Sequence, residues 1–100
     1  MLEKEIEQAA CKWAVNNGWM QLKFVSPAHR SVPDRMFIKE GRIVFIEFKK
    51  PGGKLTDGQT REIARLRAAG ADVFVCDSVA GAKEVLTRQP YPWVCGEVSE

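Results

Sequence analysis

Asp34, Glu47 and Lys49 are the residues whose types and spacing could do chemistry. Glu47 and Lys49 stand two apart in the run Arg42 to Lys49, which is rich in Ile, Val and Phe and reads as a strand. Period-2 alternation sends Val44, Ile46 and Phe48 to one face, and Phe45, Glu47 and Lys49 to the other. The second face is apolar until Glu47, where it turns ionisable. A carboxylate and an ammonium then lie roughly 6–7 Å apart along the strand. Charge at such a half-buried position is costly unless it is paired or bound to metal. An ordinary Glu–Lys pair at a strand end satisfies the same pattern, and such pairs are common.

Three further features bear on that choice. Pro33-Asp34 stands at the mouth of a preceding strand, Arg35 to Lys39, and Glu40-Gly41 is a tight hairpin turn. Asp34 and Glu47 are each about six residues from the turn, so the hairpin brings both carboxylates to one end of the sheet. They repel unless a cation bridges them, and hard oxygen ligands favour Mg²⁺ or Mn²⁺. Asp34 is also an ordinary turn residue after a proline. Next, Pro51-Gly52-Gly53-Lys54 follows the strand. Its glycines allow close backbone approach and Lys54 offers a phosphate contact, or the segment is a flexible strand-to-helix loop. Finally, Gln59, Ile63 and Leu66 share one helix face by their four-then-three spacing. Gln59 therefore points inward and needs partners, either the carboxylate–lysine site or loop backbone.

The elements that must position these groups follow from periodicity. Residues 2–17 read as an amphipathic helix, with Leu2, Ile6, Ala9, Ala10 and Trp13 at helical spacing and Asn17-Gly18 as its stop. A short strand covers 20–25, ended by Ser26-Pro27, which opens a loop to Pro33. Thr56 or Asp57 caps a helix to Ala69, with Gly70 as its stop. Asp72 to Cys76 reads as a buried strand, and Ser78 caps a last helix to about Gln89. The order is α-β-β-β-α-β-α. The helical crossover from Lys49 to Asp72 makes its two strands parallel. The expected fold class is α/β, a small mixed sheet with helices on both faces. The apolar segment around Tyr91, Trp93 and Val94 needs a surface to lie on. Trp13 reads as core, and Trp19 and Trp93 as patch-forming.

One hundred residues, 45 % hydrophobic and 28 % charged, describe one ordinary globular domain over 1–100, with a core of about 3–89 and an apolar tail of 90–100. No apolar run approaches the ~20 residues of a membrane span, and the charged start Met1-Leu2-Glu3-Lys4-Glu5 carries no apolar signal core. Cys11, Cys76 and Cys95 are odd in number and form no C-x-x-C pair. They read as reduced thiols of a cytoplasmic protein with no zinc site. Net charge is +2 but uneven. Gln21 to Arg67 holds eleven Lys/Arg against five Asp/Glu, and the rest holds four against eight. A basic middle suits a polyanion such as DNA.

Pro33-Asp34, twelve residues, then Glu47-Phe48-Lys49 resembles the PD-(D/E)xK nuclease signature, and the α-β-β-β-α-β order resembles the restriction-endonuclease-like core of that superfamily. Ser-Pro-x5-Pro-Asp-Arg before it, and Glu-Phe-Lys-Lys-Pro-Gly-Gly-Lys-Leu-Thr with Gln59 after it, look like the virus-type replication-repair nuclease (VRR-NUC) family in its stand-alone form. The resemblance spans roughly residues 3–80.

The resemblance implies metal-dependent hydrolysis of a DNA phosphodiester. Asp34, Glu47 and the Phe48 backbone carbonyl would ligate Mg²⁺ or Mn²⁺, and Lys49 would orient a water or stabilise developing charge. Gln59 would act behind them. A glutamate of the first helix would hold a water or a second metal: Glu7, at the flank of the buried stripe, is preferred, with Glu3 the runner-up. Acids there also simply favour a helix start. Lys23, Arg30, Arg35, Lys50 and Lys54 would contact flanking phosphates. His29 reads as a loop or phosphate contact. Stand-alone members of the family are similar to junction resolvases, so a homodimer acting on branched DNA is expected. The competing readings are a catalytically silent nuclease-fold DNA-binding module, and a protein-interaction domain with a coincidental Glu-x-Lys.

Overall fold

The computed structural model describes residues 1–24 and 32–88. His29, Arg30, Trp93 and Cys95 lie outside that range. The elements are α1 (Glu3–Asn16), β1 (Met20–Lys23), β2 (Arg35–Lys39), β3 (Arg42–Phe48), α2 (Asp57–Ala68), β4 (Asp72–Cys76) and α3 (Val79–Thr87). They follow the expected order, and the bounds of β2 and β4 coincide with those read from sequence. The four strands lie in the order β1-β2-β3-β4. The β1/β2 and β2/β3 pairs are antiparallel, and β3/β4, joined through α2, is parallel.

Local chemistry sets each junction. Glu40 (φ 49°) and Gly41 (φ 83°) both take positive φ, the two-residue turn whose twist suits a hairpin. It pairs Lys39 with Arg42 and so fixes the register that sets Arg35 against Ile46. Thr56, not Asp57, caps α2: its hydroxyl accepts the Gln59 N–H (3.1 Å), while the Gln59 side-chain oxygen accepts the Thr56 N–H (3.0 Å). This reciprocal pair satisfies two donors a helix start otherwise leaves open. At the other end of α2, the Arg67 guanidinium donates twice to the Val73 carbonyl (3.1 and 2.7 Å), tying the helix to β4. Ser78 caps α3.

The two faces of the sheet are covered unequally. Phe37, Val44, Ile46, Phe48 and Cys76 point to one face, where they meet Ile6, Ala10 and Ala14 of α1 and Ala82, Val85 and Leu86 of α3. That side is the core. On the other face α2 packs on β4, with Ile63 and Val73 buried. Helices therefore sit on both faces, as expected, but among the described residues the second face is covered only at its β4 side.

Trp13 packs against the core from its edge. Trp19, expected as patch-forming, is instead buried. After Gly18 the chain turns back, the Trp19 N–H donates to the Ala14 carbonyl, and Lys39 and Arg42 lie over the ring, each 5.9 Å from its centroid. Cys11 and Cys76 are free and buried. Burial pushes both thiols up, Cys76 to about 11, which makes them poor nucleophiles. No helix among the described residues is long and apolar enough to cross a membrane.

Candidate active site

The site forms where β2 begins and β3 ends. Pro33 is fully buried. It lacks an N–H that would need a partner and holds φ fixed, so it anchors the residue that follows. The Asp34 carbonyl accepts the Phe24 N–H (2.9 Å), and its carboxylate Oδ2 accepts the Phe48 N–H (3.1 Å). Asp34 is thus stitched to the strands on either side of β2. Its side chain lies beside the end of β3, where Glu47 alternates away from the core and is still only 2 % exposed.

Two groups reach the same oxygen of Glu47. Gln59 Nε2 donates to Oε2 at 2.9 Å, and Lys49 Nζ stands 3.7 Å from it. The N–H of Lys49 donates to the Cys76 carbonyl (2.9 Å), extending the parallel ladder one residue past β3. Backbone pairing, rather than side-chain reach, therefore sets where the lysine starts. Gln59 faces inward as its spacing predicts, and its partner is the carboxylate.

The electrostatics are those of negative charge short of compensation. Burial pushes Glu47 from 4.5 up to about 7, and the neighbouring Asp34 carboxylate pushes the same way. The Lys49 ammonium and the Asp34 N–H oppose this without cancelling it. Asp34 is raised too, first by burial, against the pull of the Phe48 N–H, with Glu7 and Glu3 adding to the rise. Two crowded carboxylates are hard oxygen donors, and Phe48, whose carbonyl is the expected third, holds Asp34 through its N–H. They fit a divalent cation that keeps several waters, as Mg²⁺ and Mn²⁺ do. Among the described residues, no group of three or more His, Cys, Asp and Glu side chains is placed to hold a metal, so these residues would supply two carboxylates and not a full cage.

Glu7 lies beside them, and its charge is felt by Asp34. It is 9 % exposed, and its Oε2 accepts from Arg35 Nε at 2.6 Å, with Lys23 Nζ 3.7 Å away. Arg35 in turn donates to Gln21 Oε1 at 2.7 Å. Glu7, preferred over Glu3 as the helix-borne site residue, lines the same cavity as Asp34, and so does Glu3. Two cations already answer the Glu7 charge, whereas Glu3 is exposed and makes no side-chain hydrogen bond or ion pair among the described residues. The Glu3 charge is felt by both Asp34 and Glu47. Glu3, Glu7, Lys23, Asp34 and Arg35 line one open cavity of about 320 Å³.

The expected phosphate contacts divide in the same way. Arg35 is turned under α1 by alternation, donates to Glu7 and Gln21, and lines the open cavity beside Asp34. Lys23 is largely exposed despite its proximity to Glu7. Lys50 and Lys54 are exposed on either side of a turn in which the Gly53 N–H donates to the Lys50 carbonyl (2.8 Å) and Gly52 takes φ 79°. Arg30 lies outside the described residues. Sequence reasoning missed the Gln21–Arg35–Glu7 chain. Its signal was the alternation Met20-Gln21-Leu22-Lys23, which places two polar side chains on the face that α1 covers.

The chain is similar to known proteins in sequence and in fold. The profile of the VRR-NUC domain matches residues 28–80. The chain is 46 % identical over 77 residues to "Putative nuclease p44" of Acyrthosiphon pisum secondary endosymbiont phage 1, covering 76 % of this chain and 83 % of that protein. A solved structure of a VRR_NUC domain superposes with a TM-score of 0.78 at 26 % identity, over 88 % of this chain and 97 % of that one. By sequence and fold, the chain belongs to the VRR-NUC family.

Proposed function

We propose that this protein is a Mg²⁺- or Mn²⁺-dependent DNA endonuclease of the cytoplasm that acts as a homodimer on branched DNA such as a four-way junction. The observation that carries the nuclease reading is the pairing of Asp34 and Glu47 at one sheet end, both carboxyl groups raised, with Lys49 3.7 Å from Glu47. Family membership and a phage relative named as a nuclease support it.

Asp34, Glu47 and the Phe48 carbonyl are the residues that would hold the cation. When bound, it would supply positive charge to the scissile phosphate and acidity to a water. The protein's own contribution is placement. The Phe48 N–H holds Asp34 Oδ2 and the Gln59 amide holds Glu47 Oε2, so neither carboxylate has to be ordered during the reaction. Lys49 keeps an ammonium beside Glu47, where it orients the attacking water or stabilises charge developing on the phosphate. Lys23, Lys50 and Lys54 supply contacts to flanking phosphates, which position the strand without reading its sequence.

The test is cleavage of linear duplex, supercoiled plasmid and a four-way junction, each in Mg²⁺ and in Mn²⁺. Preference for the junction, with paired incisions, supports the resolvase reading. Equal cutting of all three leaves a general endonuclease. DNA binding with no cutting in either metal points to the silent module.

A further inference from the structure

Lys23 of β1 and Arg35 of β2 are register partners, so two cations stand directly opposite each other on the face that α1 covers. Like charges so placed repel. Glu7 of α1 answers both, and both reach one of its oxygens: Arg35 Nε donates to Oε2 at 2.6 Å, and Lys23 Nζ is 3.7 Å from the same atom. The other arm of Arg35 donates to Gln21 Oε1 at 2.7 Å, and Gln21 is the next residue of β1 on that face. A planar guanidinium held at two nitrogens cannot turn. Glu7 Oε2 therefore meets a donor of fixed position and direction.

The second oxygen of Glu7, Oε1, has no such partner among the described residues, and none of their buried side-chain oxygens or nitrogens goes unbonded. Oε1 therefore keeps access to solvent, and the cavity that Glu7 lines is shared with Asp34. We propose that Arg35 is a positioning residue for the cation site: locked by Gln21, it fixes one oxygen of Glu7 so that the other is turned to the site beside Asp34. The inference rests on the cation reading given above. It adds Arg35 and Gln21 to that site as residues that act through Glu7 and do not themselves hold the cation.

The chemistry of the pair favours this over a plain tie between helix and strand. A tie needs only opposite charge, which Lys23 already brings to Glu7. Arg35 adds direction, through a charge-assisted bond at 2.6 Å whose donor is braced from behind. The side chains of Arg35 and Glu7 are 17 % and 12 % exposed, so the pair forms part of the cavity wall and is not sealed in the core. Hydrogen bonds of this kind order a carboxylate before a cation arrives, and so raise metal affinity. Arg35→Lys keeps the charge but replaces the planar fork with a point charge that cannot brace itself on Gln21 and aim at Glu7 together.

The test is Mn²⁺ titration calorimetry on the full chain without DNA, for wild type, Gln21→Ala, Arg35→Lys, Glu7→Gln and the double variant Arg35→Lys/Glu7→Gln. Circular dichroism checks that each is folded at the temperature used. Gln21→Ala removes one arm of the brace only, and carries the test if Arg35→Lys does not fold. Arg35→Lys and Glu7→Gln are each expected to weaken Mn²⁺ binding about tenfold or more, and Gln21→Ala to weaken it by less. The double variant is expected to bind no more weakly than Glu7→Gln, because Arg35 acts through Glu7. DNA binding in chelator is expected to be unchanged in Gln21→Ala and Arg35→Lys. Wild-type Mn²⁺ affinity in both of these, a double variant in which the two losses multiply, or DNA binding lost in chelator would each overturn the inference. Wild-type affinity in Glu7→Gln beside a loss in Asp34→Asn would overturn it and leave the cation site standing. No Mn²⁺ binding by wild type would sink the cation reading, and the inference with it.

Discussion

Gln59, in the first turn of α2, donates its amide N–H to Glu47 Oε2 at 2.9 Å while its own oxygen accepts the Thr56 N–H that opens the same helix. One side chain thus closes the helix cap and fixes the carboxylate at the end of β3. The two roles can be separated. Thr56→Ala removes the hydroxyl cap alone and should cost about 1 kcal/mol of stability, with cleavage at saturating metal unchanged. Gln59→Ala should also lower Mn²⁺ affinity or cleavage by about 10–100-fold, the usual cost of losing a group that orients a metal-binding carboxylate. Thermal denaturation and Mn²⁺ titration calorimetry on both variants check this.

Glu47 gives the metal-free protein a pH dependence of definite sign. The folded carboxyl holds its proton to about pH 7, against 4.5 ordinarily. Between those values the folded state binds more protons than the unfolded chain, so stability is full below about 4.5 and falls as pH rises through 7. The loss is at most about 3 kcal/mol. Asp34, also raised, adds in the same direction. Denaturation in chelator should show lower stability at pH 8 than at pH 5, Glu47→Gln should flatten the difference, and Mn²⁺ should restore stability at pH 8 in wild type.

The buried pair Glu7–Arg35 holds α1 against β2 beside Asp34. Arg35→Ala leaves the Glu7 carboxylate with only the more distant Lys23, and should cost about 2–3 kcal/mol. Glu7→Gln keeps an acceptor for Arg35 and should cost less, about 1 kcal/mol. Urea denaturation of the two variants measures the difference. An equal loss in both would remove the ion pair as the reason for Glu7.

Most of the fold was legible because local chemistry and global architecture agree. The alternation through Val44 to Lys49 fixed the faces of β3, the Glu40-Gly41 turn fixed its register with β2, and Thr56 and Ser78 marked two helix starts. The site was legible for the same reason: once the hairpin register is set, Asp34 must meet the end of β3, and the spacing from Ile63 turns Gln59 inward. The pairing of Glu7 with Arg35 was not legible because it spans 28 residues, and a one-dimensional pattern shows an acid on a helix and a base on a strand without showing that they touch. Trp19 was misjudged because its burial depends on how the chain turns after Gly18. The open sheet face was invisible for a related reason. Alternating apolar residues in β1 and β2 announce a covered face, and only the packing of α2 on β4 shows that the chain's described residues leave it bare.

Lys50 and Lys54 are exposed beside the site, so their contribution should be electrostatic alone. Replacing both with Ala should weaken DNA binding, reduce the slope of log K against log salt by about 2, and leave the melting temperature unchanged. Fluorescence anisotropy over a salt series in chelator measures the slope. Arg35→Ala should behave in the opposite way, with stability falling and the slope nearly constant.

The most direct test of the central claim is Mn²⁺-dependent nicking of supercoiled plasmid by wild type, Asp34→Asn and Glu47→Gln, each checked for folding by circular dichroism. Both substitutions keep side-chain shape and remove one negative charge. Wild type is expected to show cleavage that chelator abolishes, and each variant a loss of about 100-fold or more. Cleavage that persists in either folded variant, or that proceeds in chelator, would contradict it.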